Sequence, residues 1–447
     1  MAQHRGIMAS LTITPGSPLK GSVTVPGDKS VTHRAIILTA LAEGTSEVSS
    51  YCRGEDCLNT MRAFQTLGIR IDEMPHRLTV HGKGLWGLTE PNDQIDCGNS
   101  GTGIRLLAGL LAGQDFFTVL TGDASIRRRP MGRVVRPLRD MGAVIAGRKG
   151  GELAPLAITG TRLHGITFVS PVASAQVKSS LLLAGLFAEG ATRFTEPRLS
   201  RDHTERMFQF FGIPLERAGG SLTLHGWPAV GWSGRTVVVP GDFSAGAFFM
   251  VGAAIVPGSD VTVRQVGINP TRTGLVDILT RMGADLEILN RQEEAGEPIA
   301  DVRVKSAPLR GIEIGPELIP QTIDEFPILC VAAAVANGDT IISGAEELRV
   351  KESDRIKTMS AELRAMGARV EERPDGMVIR GLGTTRENGR LQASPTAQSH
   401  GDHRVAMSLA IGALTATAPM TVADSGCVDT SFPDFESTLG ALLTPPS

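Results

Sequence analysis

The sequence predicts an α/β chain in two halves, each built from three β-α-β-α-β-β repeats with helices inside and sheets outside. Three observations carry this reading. The segment Val25-Pro26-Gly27-Asp28-Lys29-Ser30 returns 214 residues later as Val239-Pro240-Gly241-Asp242-Phe243-Ser244. A polar cluster, an Ala- and Leu-rich run, a turn and a short strand recur six times, from Ser30, Ser100, Ser174, Ser244, Asp324 and Asp402. Between these runs lie amphipathic patterns ending at Leu67-Gly68, Met141-Gly142, Phe211-Gly212, Met282-Gly283 and Met366-Gly367, where glycine suits the residue after a helix.

Each element has its own warrant. The strands ahead of the two Val-Pro-Gly-Asp copies are β-branched runs, SVTV and TVVV. The first helix of each repeat is apolar almost all round, as in SAGAFFMVGAAIV from Ser244, and must be buried. Its closing turn carries Gly44, Gly113, Gly190, Gly258 or Gly338, at intervals of 68–80 residues; the sixth copy has Thr417-Ala418-Pro419. The second helix is amphipathic and belongs outside. Pairs such as IRIDEMPHRLTVHG alternate apolar and polar residues, the mark of a half-exposed hairpin. A doubly wound sheet would instead show continuous apolar strands under helices. The chain is expected to cross between halves near residues 24 and 239. One domain is then 1–24 plus 240–447, the N-terminal strand included, and the other 25–239.

Composition narrows the function. The 447 residues carry 44 Lys+Arg against 47 Asp+Glu, a net charge of −3, so no nucleic-acid or membrane-surface partner is expected. Five scattered cysteines, Cys52, Cys57, Cys97, Cys330 and Cys427, without a C-x-x-C pair, fit a reduced, cytoplasmic chain. The opening MAQHRGIMAS has no apolar leader region. Val405 to Ala423 runs 19 residues without a charge, but its Gly412, Pro419 and strand-like end make it a repeat rather than a membrane span. Gly82 to Gly87 matches G-x-G-x-x-G with no helix following, and no G-x-x-x-x-G-K-[ST] or G-x-S-x-G occurs. His203 and Glu205 stand too close together, without partners, for a metal site.

The polar clusters ahead of the buried helices carry the chemistry. Helix N-termini offer N–H groups and the positive ends of dipoles, a setting for anions. Only eight Lys stand against 36 Arg, and Lys29, Lys178 and Lys351 all lie in or just inside these clusters. Arg34, Arg105, Arg355 and Arg404 do likewise, and Arg127-Arg128-Arg129-Pro130 precedes another helix. So many cations call for a substrate with several negative charges, phosphate and carboxylate. Asp324 and Glu352 stand among them as candidate proton carriers.

The motifs PGDKSxxHR (Pro26 to Arg34), GNSGTGIR (Gly98 to Arg105), GDASIRRRPMGR (Gly122 to Arg133) and SAQVKS (Ser174 to Ser179) are joined by four more. These are DEFP (Asp324 to Pro327), ELRVKESDR (Glu347 to Arg355), DHRVAMS (Asp402 to Ser408) and TSFPDF (Thr430 to Phe435). In this order, over nearly the whole chain, they resemble the 5-enolpyruvylshikimate-3-phosphate synthase family, in particular its bacterial class II members. The resemblance implies an inside-out α/β barrel, the enolpyruvyl transferase fold, in two domains that close around their substrates, with the active site in the cleft. It implies transfer of the enolpyruvyl group of phosphoenolpyruvate to the 5-hydroxyl of shikimate 3-phosphate, without metal or organic cofactor, by a monomer.

The family's shikimate 3-phosphate contacts fall on Lys29, Ser30, Arg34, Ser174, Ala175, Gln176, Arg201, Asp324 and Lys351. Its phosphoenolpyruvate contacts fall on Lys29, Gly101, Arg129, Gln176, Arg355 and Arg404. Asp324, Glu352 and Lys29 take the catalytic places, Asp324 as acceptor of the 5-hydroxyl proton and Glu352 as donor to C3. Register selects Arg129 from the triple arginine, with Arg127 and Arg128 as alternatives. Thr430 stands where many members have Lys. Gly101 stands where resistant class II members have Ala, so binding of the inhibitor glyphosate at the phosphoenolpyruvate site is expected to be less hindered here. The related family acting on UDP-N-acetylglucosamine has Asn after the first Lys and a loop Cys; here Ser30 follows Lys29 and GDASIRRRP has no Cys. A non-catalytic anion-binding protein of this fold would not need Asp324 and Glu352.

Overall fold

The computed structural model describes residues 10–226, 231–383, 390–395 and 397–443. Among them, twelve helices of nine or more residues alternate between fully and half-buried. The buried ones are α1 (Lys29–Ala40), α3 (Gly101–Ala112), α5 (Ala175–Gly185), α7 (Phe243–Ile255), α9 (Phe326–Val335) and α11 (His403–Ala413). Each is followed by an outer helix: α2 (Glu55–Thr66), α4 (Gly132–Asp140), α6 (His203–Phe211), α8 (Gly274–Met282), α10 (Arg355–Ala365) and α12 (Phe435–Leu443). Every residue of α9 is buried, whereas α2 buries the stripe Cys57, Thr60, Met61 and Phe64. The apolar girth of the first set and the single stripe of the second account for the difference.

Six small sheets complete the repeats. In four of them, the strands flanking a buried helix pair in parallel, as Ile95–Asp96 does with Phe117–Thr121 around α3. A hairpin after the outer helix then adds antiparallel strands, here Val144–Gly147 and Leu153–Thr159. The sixth repeat has no hairpin of its own among the described residues. Leu11–Ile13 fills the place, pairing antiparallel with Met420–Ala423.

The chain forms two compact units: Met1–Pro26, Gly241–Gln292 and Pro298–Ser447 in one, Gly27–Pro240 and Glu293–Glu297 in the other. Strand Lys20–Thr24 precedes α1 but pairs with Asp260–Gly267 of the first unit. Thr236–Val238 precedes α7 but pairs with Glu43–Ser49 of the second. The Val-Pro-Gly-Asp copies sit at these exchanges, and Asp28 and Asp242 cap the helices that follow, accepting from the N–H groups of Val31 and Ser244.

Four of the five turn glycines, Gly44, Gly190, Gly258 and Gly338, have φ between +80° and +90°. Gly113 does not: its φ is −93°, and a Cβ there would strike the Phe187 ring. Close packing, rather than a left-handed turn, demands glycine at that position. The 19 uncharged residues from Val405 form most of α11, a turn and a strand, and no described helix is long and apolar enough to cross a membrane.

Glycine also sets how closely α3 and α5 approach. A Cβ on Gly109 would fall on the backbone carbonyl of Ser180, which has no rotamer by which to escape. Gly109→Ala is expected to cost about 1–3 kcal/mol of stability. Urea denaturation checks this; an unchanged midpoint and slope would mean that the helices separate freely.

Candidate active site

Each unit gathers charged groups at the first turns of its buried helices. In the second unit, α1 contributes Lys29, Ser30 and Arg34. Lys29 Nζ lies 3.0 Å from Asp56 Oδ2 on α2. Arg34 is 4% exposed and held at all three nitrogens: Nε donates to Thr204 Oγ1 at 2.6 Å, one terminal nitrogen to Ser179 Oγ at 2.6 Å, and the other to the Ser30 carbonyl at 2.8 Å. Burial lowers its pKa to about 10, against the opposing pull of Glu205 and Asp28, so it stays charged at neutral pH. His33, between Thr60 and Ser100, is neutral: burial first, then Lys29 and Arg34, press its pKa down to about 3.

A second cluster in this unit joins α3, α5 and the segment before α4. Ser174 caps α5, accepting from the Val177 N–H, with Ala175 and Gln176 in the first turn. Gln176 Oε1 accepts from Arg105 at 2.9 Å, and its Nε2 donates to Thr102 Oγ1 at 3.2 Å. Arg105 also donates to the carbonyls of Gly101 and Pro130. Of the triple arginine, Arg129 is 8% exposed, whereas Arg127 and Arg128 are exposed in the short turn Ile126–Arg128. Arg129 donates towards the Asn99 carbonyl at 3.5 Å. A Cβ on Gly101 would lie 2.8 Å from an Arg129 nitrogen and 2.9 Å from one of Arg105. Gly101, Arg129 and Gln176 are thus one group. Arg201, in the segment ahead of α6, lies close enough to Arg34 to oppose its charge.

The first unit holds Asp324, Lys351, Glu352, Arg355 and Arg404. Arg355, at the start of α10, has no exposed surface and meets three carboxylates. Its Nε lies 2.9 Å from Asp402 Oδ2, and its terminal nitrogens lie 2.8 Å from Glu352 Oε2 and 3.4 Å from Asp324 Oδ1. Burial works against its charge, but Asp402, Glu352 and Asp324 outweigh it and hold its pKa above the ordinary arginine range. Arg404, one residue into α11, reaches Asp324 Oδ2 at 3.4 Å. Asp402 does two jobs, capping α11 at the Arg404 N–H and anchoring Arg355. The expected carboxylates are therefore ordered by the expected cations.

Two residues outside the expected set organise it. In the sequence Asp402 only opens a polar cluster and the Asp-His-Arg motif; its hold on Arg355 spans 47 residues and has no local signal. Arg105 was visible among the cations, but its bond to Gln176 was not. Lys178 departs from expectation in the other direction. It is sealed with Glu196 and Glu205 at 2.8 Å each rather than facing a ligand. His203 is taken by Glu297 at 2.7 Å, and no cluster of three or more His, Cys, Asp or Glu among the described residues could hold a metal.

Residues 13–439 match the family described as EPSP synthase (3-phosphoshikimate 1-carboxyvinyltransferase). The chain belongs to this family. A 3-phosphoshikimate 1-carboxyvinyltransferase of Geobacter sulfurreducens is 55% identical over 432 residues, covering 97% of this chain and 99% of that protein. One from Syntrophotalea carbinolica is 54% identical over 424 residues, covering 95% and 96%. Among solved structures, an EPSP synthase from Acinetobacter baumannii matches with a TM-score of 0.86 at 46% identity, covering 97% of this chain and 98% of that one. The enolpyruvyl transferase NikO from Streptomyces tendae, at 17% identity and a TM-score of 0.78 with the same coverage, shares the fold. The helices-inside, sheets-outside architecture is that of the enolpyruvyl transferases.

Lys351 generates a pH dependence. It keeps a quarter of its side-chain surface, 3.8 Å from Glu347, yet its surroundings lower its pKa to about 8, burial outweighing Glu347 and Asp324. Between about 8 and the ordinary 10.5, the unfolded chain binds the proton that the folded chain has lost. The group's contribution to stability therefore rises with pH across that window and is flat below it. NMR titration of the Lys351 side chain should show its midpoint near pH 8; a midpoint above 10 would contradict the burial.

Proposed function

We propose that Asp324, Glu352 and Lys29 carry out, in this chain, the family's reaction: transfer of the enolpyruvyl group of phosphoenolpyruvate to the 5-hydroxyl of shikimate 3-phosphate. Asp324 takes the 5-hydroxyl proton as that oxygen bonds to C2, and Glu352 delivers a proton to C3. The tetrahedral intermediate then loses a C3 proton and phosphate, which restores the double bond. Lys29, Arg129, Arg355 and Arg404 receive the charges of phosphoenolpyruvate, with Gly101 and Gln176 beside them. Lys29, Ser30, Arg34, Ser174, Ala175, Gln176, Arg201 and Lys351 bind shikimate 3-phosphate. Fixed cations aimed at developing charge supply a large part of such catalysis. The proposed working unit is a single chain in the cytoplasm, where its five free cysteines stay reduced.

One observation carries the acid–base assignment. Arg355 orients both carboxylates, and their side chains keep 16% and 19% of their surface, whereas Asp402 on the same guanidinium keeps none. Two of the three can meet a ligand; the third, sealed, serves the arginine and the start of α11. The direct test is phosphate release by the purified chain on mixing the two substrates, and no release would overturn the proposal.

Glu352→Gln keeps the shape and removes the proton. Turnover should fall ~10²–10⁴-fold while both KM values change far less. Near-normal turnover would remove Glu352 from the mechanism.

Gly101→Ala tests the phosphoenolpyruvate assignment. The added methyl meets the guanidinium ends of Arg129 and Arg105, flexible groups that must shift. Glyphosate, longer than phosphoenolpyruvate, should lose more from that shift. Its inhibition constant should rise more than tenfold, or over ~1.4 kcal/mol, with a smaller rise in the KM for phosphoenolpyruvate. An unmodified enzyme already insensitive to glyphosate would sink this account.

A further inference from the structure

We propose that Lys178 is a positioning residue for Arg201, clamping the segment 196–200 so that binding of shikimate 3-phosphate depends on a side chain with no exposed surface. The proposal rests on the assignment of Arg201 to that substrate.

An ammonium has three protons to donate; Lys178 hydrogen-bonds Glu196 Oε1 and the Ser200 carbonyl, and pairs in charge with Glu205. Its Nζ lies 2.8 Å from Glu196 Oε1, 2.8 Å from Glu205 Oε1 and 3.2 Å from the Ser200 carbonyl. Glu196 Oε1 also accepts from the Ser200 N–H at 2.9 Å. Both backbone polar groups of Ser200 are therefore held by the Lys178–Glu196 pair. The Ser200 carbonyl belongs to the planar peptide bond that leads into Arg201, so fixing it fixes the departure of the Arg201 backbone.

Residues 196–200 form no helix or strand, and Leu199 is 56% exposed. A cavity of about 400 Å³, lined in part by Phe194, Leu199, Glu205 and Arg217, adjoins the segment where packing would otherwise support it.

The third arm, Glu205 on α6, ties the clamp to Arg34. Ser179 and Thr204, the sequence neighbours of Lys178 and Glu205, bond each other at 2.7 Å and both bond Arg34. Arg34 is held by these hydroxyls and not by Lys178 itself, so the loss of Lys178 falls on Arg201. A buried lysine with two glutamates is an inefficient source of stability compared with apolar side chains of the same volume. Its geometry, not its energy, accounts for it.

The test is a double-mutant cycle of Lys178→Met and Arg201→Gln, read in steady-state kinetics. Lys178→Met should raise the KM for shikimate 3-phosphate at least tenfold, with smaller effects on kcat and on the KM for phosphoenolpyruvate. The double variant should be no worse than Arg201→Gln alone. Additive losses, or equal losses in both KM values, would overturn the clamp and leave a general structural role. If Arg201→Gln leaves the KM for shikimate 3-phosphate unchanged, the assignment of Arg201 itself fails, and the clamp loses its object. Should Lys178→Met not fold, Glu196→Met decides the matter, since it leaves Lys178 paired with Glu205 in charge balance. A folded Glu196→Met with that KM within twofold of the parent would overturn the proposal.

Discussion

The inner helices have no polar face, and the rest of the structure follows from that constraint. A helix such as Phe326–Val335, buried on every side, can satisfy its backbone internally but can carry no charged side chain along its length. Functional groups are therefore concentrated in the first two turns of such helices and in the loops before them. Six such helices offer six places for chemistry; cations stand at the starts of α1, α3, α5 and α11, and α9 opens on Asp324. Five of the six are also capped by a side chain: Asp28, Ser100, Ser174, Asp242 and Asp402. The caps satisfy part of each N-terminus from within, so binding of anions falls mainly to the arginines and lysines.

Confining charge to buried helix ends creates a second demand, that each cation be held in place. The structure meets it in two ways. Arg34 is bonded only to neutral groups, two hydroxyls and a carbonyl, which orient it without neutralising it. Arg355 is surrounded by carboxylates, which fix its guanidinium while it orders them. The first arrangement suits a group that must attract an anion. The second suits one that must align acids and bases.

The sequence made the architecture legible because the repeats are written in local patterns. Apolar girth, alternating hairpins and the left-handed glycines Gly68, Gly142, Gly212, Gly283 and Gly367 can each be read within about fifteen residues. The motif residues of the candidate site were legible for the same reason, since they open helices. What could not be read is whatever joins distant segments. Asp402 to Arg355, Arg105 to Gln176 and Lys178 to Glu196 are contacts between elements, and each residue in isolation looks like a cap or a surface charge. Lys178 shows the limit most sharply: its position in a polar cluster suggested a ligand contact, and only the fold reveals its two internal counterions. Gly113, similar by pattern to Gly44, is required for a different reason that no sequence window contains.

The pairing of Leu11–Ile13 with Met420–Ala423 has a consequence during synthesis. The N-terminal strand emerges first from the ribosome, yet its partner emerges about 400 residues later. At roughly 5–20 residues per second, that strand waits on the order of 20–80 s with its hydrogen-bonding edge open. The adjoining strand Lys20–Thr24 waits a shorter time, for Asp260–Gly267. By then Thr236–Val238 has been made and can complete the sheet containing Glu43–Ser49. The middle of the chain can thus mature while both ends are still unpaired, so the nascent protein is most exposed to chaperones and to misassembly at its N-terminal strand.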